Sequence, residues 1–93
     1  MSITFHSLVQ RDFRRALIYY QEVAGDKIAE RFEAVLRDHL QRAVTHPKHF
    51  HYDRGGLRRV NLKGFPWHFL FRERVSAIFV LVLRHDNGIP IMG

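Results

Sequence analysis

Leu57-Arg58-Arg59-Val60-Asn61-Leu62-Lys63-Gly64-Phe65-Pro66-Trp67-His68-Phe69-Leu70-Phe71-Arg72 is the stretch whose reading decides the fold. It holds two runs, Leu57–Lys63 and Trp67–Arg72, both rich in β-branched, aromatic and leucine residues and split by Gly64-Phe65-Pro66. Such runs bounded by turn residues read as strands. A third run, Val75–Arg84, follows after the charged Glu73-Arg74 turn. Connections this short force antiparallel pairing, because parallel neighbours need a long crossover. Within the third run, Ile78-Phe79-Val80-Leu81-Val82-Leu83 is apolar at every position, which predicts a central strand covered on both faces.

Upstream, the segment from His46 to Gly56 is polar and aromatic and reads as a loop. Before it lie two helical patterns. In the first, Val9, Phe13, Ala16, Leu17, Tyr20 and Ala24 recur at three- and four-residue spacing. Ser7 and Gln10 fit a capping box at its start, and Gly25 suits its C-terminal cap. In the second, Asp26 stands as N-cap and Ile28, Phe32, Val35, Leu36, Leu40 and Ala43 form the apolar face, with Pro47 ending it. The short link between them predicts an αα-hairpin. Ile3-Thr4-Phe5-His6 alternates and reads as an opening strand. The expected fold is α+β in the order strand, helix, helix, then a three-stranded antiparallel meander, with residues 1–93 as one domain.

Composition sets the class. The chain has 93 residues, 46% hydrophobic and 13% aromatic, enough apolar surface for one small core. It has no cysteine, which favours a reducing compartment. No signal-peptide pattern opens the chain, and no apolar stretch approaches the roughly 20 residues that span a bilayer. The expected location is the cytoplasm. Formal charge is +6, unevenly placed. Residues 54–93 hold seven cations (Arg54, Arg58, Arg59, Lys63, Arg72, Arg74, Arg84) against Glu73 and Asp86, so this part carries +5. Most cations are arginine, suited to bidentate pairing with carboxylate or phosphate. An acidic partner is implied, either nucleic acid or an acidic protein segment.

These residues resemble the ParE/RelE superfamily of toxins from type II toxin–antitoxin systems, most closely its ParE-like, plasmid-stabilisation branch. The resemblance rests on Leu57–Arg72 and on Val80-Leu81-Val82-Leu83-Arg84-His85 with Pro90 five residues after the histidine. It rests also on a first helix ending near Tyr19-Tyr20 and on Ala29-Glu30-Arg31-Phe32 early in the second. The ordered set covers nearly the whole chain. It implies the strand–helix–helix–meander fold, inhibition of DNA gyrase by protein binding, and neutralisation by a cognate acidic antitoxin. Its alternatives are a RelE-like, ribosome-dependent mRNA endoribonuclease and a non-toxic, binding-only relative. The sequence departs from the family after the histidine, where Asp86-Asn87-Gly88-Ile89 replaces the usual arginines. The chain also reaches Gly93 without the Tyr-containing tail of RelE-type nucleases. Both departures argue for binding over cleavage.

The candidate binding residues are Arg58, Arg59, Lys63, Arg72 and Arg84. Arg58 and Arg59 are adjacent on a strand, so they point to opposite faces. One is expected on the solvent side of the sheet and one under the helices or at a rim, the alternative partners being helix carboxylates such as Glu30 and Glu33. A nuclease would use Arg58, Arg59, Lys63 and Arg72, with His85 as acid–base group; otherwise His85 is part of the strand-end scaffold. Trp67, Phe69 and Phe71 alternate on one face and read as core under the hairpin, the other possibility being a base-stacking row. His46, His49 and His51 cluster without cysteine and with only Asp53 as an acidic neighbour. That pattern lacks the four spaced ligands of a structural zinc site, so neither metal nor cofactor is expected.

Overall fold

The computed structural model describes residues 2–87. Strand β1 (Ser2–Phe5) leads into helix α1 (Ser7–Ala24), and Gly25 alone separates it from helix α2 (Asp26–Thr45). Gly25 has φ +93°, a backbone region that disfavours side chains, and its N–H donates to the Tyr20 carbonyl at 2.9 Å. It caps both helices at once. Asp26 is therefore the first residue of α2 and not its cap. Ser7 likewise lies inside α1. The cap is His6, whose Nδ1 accepts from the Leu8 N–H at 3.1 Å. A histidine acceptor replaces the predicted hydroxyl because the extended backbone sits one residue earlier.

Two short 3₁₀ turns, Pro47–His49 and Arg54–Gly56, occupy the predicted loop. Strands β2 (Arg58–Asn61), β3 (Trp67–Glu73) and β4 (Ala77–His85) then form the antiparallel meander. Val75 lies outside β4, 99% exposed at the tip of the turn, because the Arg74 N–H closes the hairpin on the Ala77 carbonyl at 2.8 Å. The sheet order is β1-β4-β3-β2, with β1 parallel to β4. The two-helix crossover makes that parallel pairing possible.

Alternation gives the sheet two unlike faces. Val60, Trp67, Phe69, Phe71, Ile78, Val80 and Leu83 are buried under the helices, where they meet Ala16, Phe32, Leu36, Leu40 and Ala43. Phe32 is the hub, with ring centroids of Tyr20, Phe65 and Trp67 at 5.0, 5.3 and 5.5 Å. Trp67 donates its indole N–H to the Tyr20 hydroxyl at 3.0 Å. Burial raises the Tyr20 pKa above its ordinary value, against the lowering effect of that bond. The aromatic row Trp67, Phe69, Phe71 is thus core.

The opposite face carries Arg59 and Asn61 from β2, His68, Leu70 and Arg72 from β3, and Phe79, Val82 and Arg84 from β4. The register pairs them as Arg59 with Leu70, Asn61 with His68, His68 with Arg84, Leu70 with Val82 and Arg72 with Phe79. β4 is central but not buried on both sides: Phe79 and Val82 are only half-buried. A bulge places the extra residue Leu81 between Val80 and Val82, where the pairing slips between Leu70 and Phe71. That insertion keeps both Val80 and Leu83 on the core face. Among the described residues no helix is long and apolar enough to cross a membrane.

Candidate functional site

The five cations named from sequence do not form one patch. Arg58 opposes Phe71, so it lies on the core side of β2, at the edge that Tyr52 bridges. Its side chain is 12% exposed, donates to the Phe50 carbonyl at 2.7 Å and the Tyr52 hydroxyl at 3.1 Å, and approaches Glu73 at 3.5 Å. The guanidinium also stacks over the Tyr52 ring at 4.2 Å. Its Nε is buried without a partner. Arg58 fastens the loop to the sheet. Glu73, which also holds Lys48 at 3.2 Å, is its carboxylate, in place of the helix residues Glu30 or Glu33.

Arg59 points to the outer face, as alternation requires of its neighbour. Its Nε donates to Asn61 at 2.9 Å, one terminal nitrogen reaches Asp53 at 3.4 Å, and the other stands 3.6 Å from Asp86. Asp53 also accepts from the Arg54 N–H at 2.7 Å. That backbone bond, with help from Arg59, holds the Asp53 carboxyl below the usual carboxylate range.

Asp86 carries the cluster inward. Its carboxylate accepts from His68 Nδ1 at 2.6 Å, and His68 Nε2 accepts from Arg84 Nε at 3.0 Å. An arginine nitrogen only donates, so Nε2 is the acceptor and the ring hydrogen sits on Nδ1. His68 is 3% exposed, a buried polar residue with both nitrogens bonded. Together Asp53, Arg54, Arg59, His68, Arg84, His85 and Asp86 line one shallow depression. His68, Asp53 and Asp86 were not among the residues chosen from sequence. The available signal was His68 itself: in Trp67-His68-Phe69 it is the polar member of an aromatic strand, and the short β3–β4 turn sets it beside Arg84.

The remaining choices fall elsewhere. Arg72 is on the outer face at the far end of β3, beside Tyr52, Gly56, Arg74 and Val75. Four strand positions separate it from His68, about 13 Å at 3.3 Å per residue. Lys63 lies in the β2–β3 turn, where its N–H meets His39 Nε2 at 3.4 Å. His85 is buried on the core face against Trp67, and its Nδ1 accepts from the Asn87 N–H at 3.0 Å. It also borders the depression that Arg54, Arg59 and Arg84 line. Residues Gly88 to Pro90, part of the family-like ending, lie outside the described residues. Among the described residues no group of three His, Asp or Glu side chains is placed to hold a metal ion; His46 and His49 stack on each other at 4.7 Å. A second, apolar cavity of about 240 Å³ opens between the hairpin and the sheet, lined by Phe5, Val9, Phe13, Leu36 and Leu40 with Gln10 and Arg37 at its polar margin.

No family model matches the sequence, and no curated protein does. Solved structures do. A chain from the chromosomal ParDE TA system from P. aeruginosa superposes with a TM-score of 0.79 at 16% identity, over 91% of this chain and 95% of that one. The fold is that of a ParDE-system chain. The strand–helix–helix–meander fold expected from the sequence is therefore matched in three dimensions. The ParDE-type fold places the two-helix hairpin on one face of the sheet and leaves the Arg59–Asp86–His68–Arg84 cluster on the other.

Proposed function

We propose that this chain is the toxin half of a type II toxin–antitoxin pair of the ParE-like branch. It acts in the cytoplasm by binding DNA gyrase and is neutralised by a cognate acidic antitoxin. The observation that carries this reading is the helix-free outer face, where Arg59 and Arg84 are held in place by neighbouring side chains. His68 has both nitrogens engaged, and His85 is turned into the core with its Nδ1 occupied. In-line RNA cleavage needs a base, an acid and cations around one phosphate. Arg58 and His85 on one face, Arg59 and Arg72 on the other and Lys63 in a turn do not supply that convergence. A surface that recognises a protein partner needs only fixed cations and apolar contacts between them. The apolar cavity between hairpin and sheet offers an antitoxin a second hold, suited to the helix-in-groove mode.

Induced expression in bacteria is expected to arrest growth, and purified protein to inhibit gyrase supercoiling without cleaving mRNA. Co-expression of the short neighbouring gene with an acidic tail is expected to restore growth. Cleavage of translated mRNA that is abolished by Arg59→Ala would replace this reading with the endoribonuclease. Normal growth with antitoxin binding intact would leave a binding-only relative.

A further inference from the structure

We propose that Arg84 is a pre-aimed anion fork, held by the His68–Asp86 pair, and that it receives a carboxylate from an extended peptide segment of a partner protein that carries an acidic and an apolar residue two positions apart. This rests on the protein-binding reading above and names the partner's chemistry at the same face.

The three outer arginines differ in what they have left to offer. Arg59 spends all its nitrogens on Asn61, Asp53 and Asp86. Arg72 has no bonded partner among the described residues, so a ligand would have to order it. Arg84 lies between these cases. Its Nε is tied to His68 at 3.0 Å, while its two terminal nitrogens have no partner among the described residues. His68 is buried and tied in turn to Asp86, whose backbone N–H donates to the Pro66 carbonyl at 2.8 Å. A backbone bond at one end thus fixes the direction of a guanidinium at the other. The free end is the planar pair of donors that matches a carboxylate.

The surroundings favour a peptide over a nucleic acid. Bases need aromatic platforms, and Trp67, Phe69 and Phe71 all face the core. Phe79, on the outer face of β4, has the Arg74 guanidinium over it at 6.0 Å, and the exposed Tyr52 ring is already stacked by Arg58 at 4.2 Å. Asp53 and Asp86 in the same depression would repel a phosphodiester chain running through it, whereas a single carboxylate can meet Arg84 across the His68 ring from Asp86. Val82, half-buried and two positions before Arg84, lies next to the fork on the same face. An extended peptide repeats its side chains on one face every two residues, about 7 Å apart. It can therefore set a carboxylate on Arg84 and an apolar side chain on Val82.

The test uses the full-length protein and a blocked synthetic peptide of Glu-Ser-Leu-Ser repeats, with its Gln-Ser-Leu-Ser counterpart and oligouridine as comparisons. The Glu peptide is expected to bind, to weaken with added salt and to shift the Arg84 Nε–H resonance in ¹⁵N spectra. Arg84→Gln is expected to weaken it about tenfold, the size of a charge-assisted fork. Arg84→Lys keeps the charge and loses the fork, and is also expected to weaken it. His68→Gln, whose amide oxygen still accepts from Arg84, is expected to retain affinity that His68→Leu loses. Arg84 is exposed, so its variants report even where His68→Leu fails to fold. Unchanged affinity in Arg84→Gln, equal binding of the Gln peptide, or tighter binding of oligouridine would each overturn the proposal. Gyrase inhibition that persists while Arg84→Gln leaves peptide affinity unchanged removes the fork and keeps the toxin. Arg84-dependent peptide binding in a protein that arrests no growth does the reverse.

Discussion

Arg58 and Arg59 are chemically identical neighbours, and the pleat of one strand sends them into two different environments. Arg58 goes to the core side, where it is 12% exposed and bonded to a carbonyl, a hydroxyl and a carboxylate. Arg59 goes to the outer side, 37% exposed, spread over an amide and two carboxylates at longer range. The same contrast holds for the sheet as a whole. One face is a close-packed aromatic core whose partners are other parts of the chain. The other is a polar network that ends in a guanidinium whose terminal donors have no partner among the described residues. Packing is thus concentrated on one face, and the other keeps its side chains in contact with solvent and with one another.

The largest expected effect breaks the core face. Phe32 is fully buried and touches Tyr20, Phe65 and Trp67, rings from α1, the β2–β3 turn and β3. Phe32→Ala is expected to cost about 3–5 kcal/mol in urea unfolding, since the cavity opens where three elements meet. Next is Arg58→Ala, expected to cost about 1–3 kcal/mol by leaving the Phe50 carbonyl and Glu73 short of a donor. The effect is moderated because the buried Arg58 Nε is itself unpaired in the parent. Arg59→Ala is expected to change stability by only about 0–1 kcal/mol, because its ion pairs are long and solvent-screened. Equal losses for the two arginines in the same unfolding experiment would mean that the faces are not energetically distinct.

The fold was legible because its signals are local. Gly64-Phe65-Pro66 and Glu73-Arg74 fix hairpins, and the aromatic alternation of Trp67, Phe69 and Phe71 fixes which face is core. The parallel pairing of β1 with β4 was not, since nothing in Ile3-Thr4-Phe5-His6 says which strand it joins. The N-caps of both helices fall one residue before the expected Ser7 and Asp26, at His6 and Gly25, while Gly25 closes α1 as expected. The site was legible only in part. Cations can be counted from sequence, but whether they are spent depends on register. His68 meets Arg84 only because Trp67 pairs with His85, and Asp86 reaches His68 only because the chain turns just past β4. Those are tertiary facts, so sequence gave five equal arginine and lysine candidates where the structure separates fasteners from donors.

The smallest expected effect tests whether the outer network contributes to folding at all, and its sign follows from Asp53. The Arg54 N–H and Arg59 hold this carboxyl below its ordinary value, so the charged form is favoured in the folded chain. A carboxyl whose pKa is depressed on folding contributes stability that is fully present above its unfolded pKa, about 3.9. The contribution disappears as pH falls through the lower folded value, where both states carry the proton. Asp53→Ala should therefore be less stable than the parent near neutrality, and the two unfolding curves should converge as the solution is acidified below the usual carboxylate range. Every other carboxyl titrates in both proteins, so the difference between them isolates this one. A gap that widened in acid would mean that Asp53 favours its proton in the folded state, and that the bonds from Arg54 and Arg59 do not form in solution. In that case the anchoring of Arg59 would fail, while the separate chain from Pro66 through Asp86 and His68 to Arg84 would stand, because it shares no bond with Asp53.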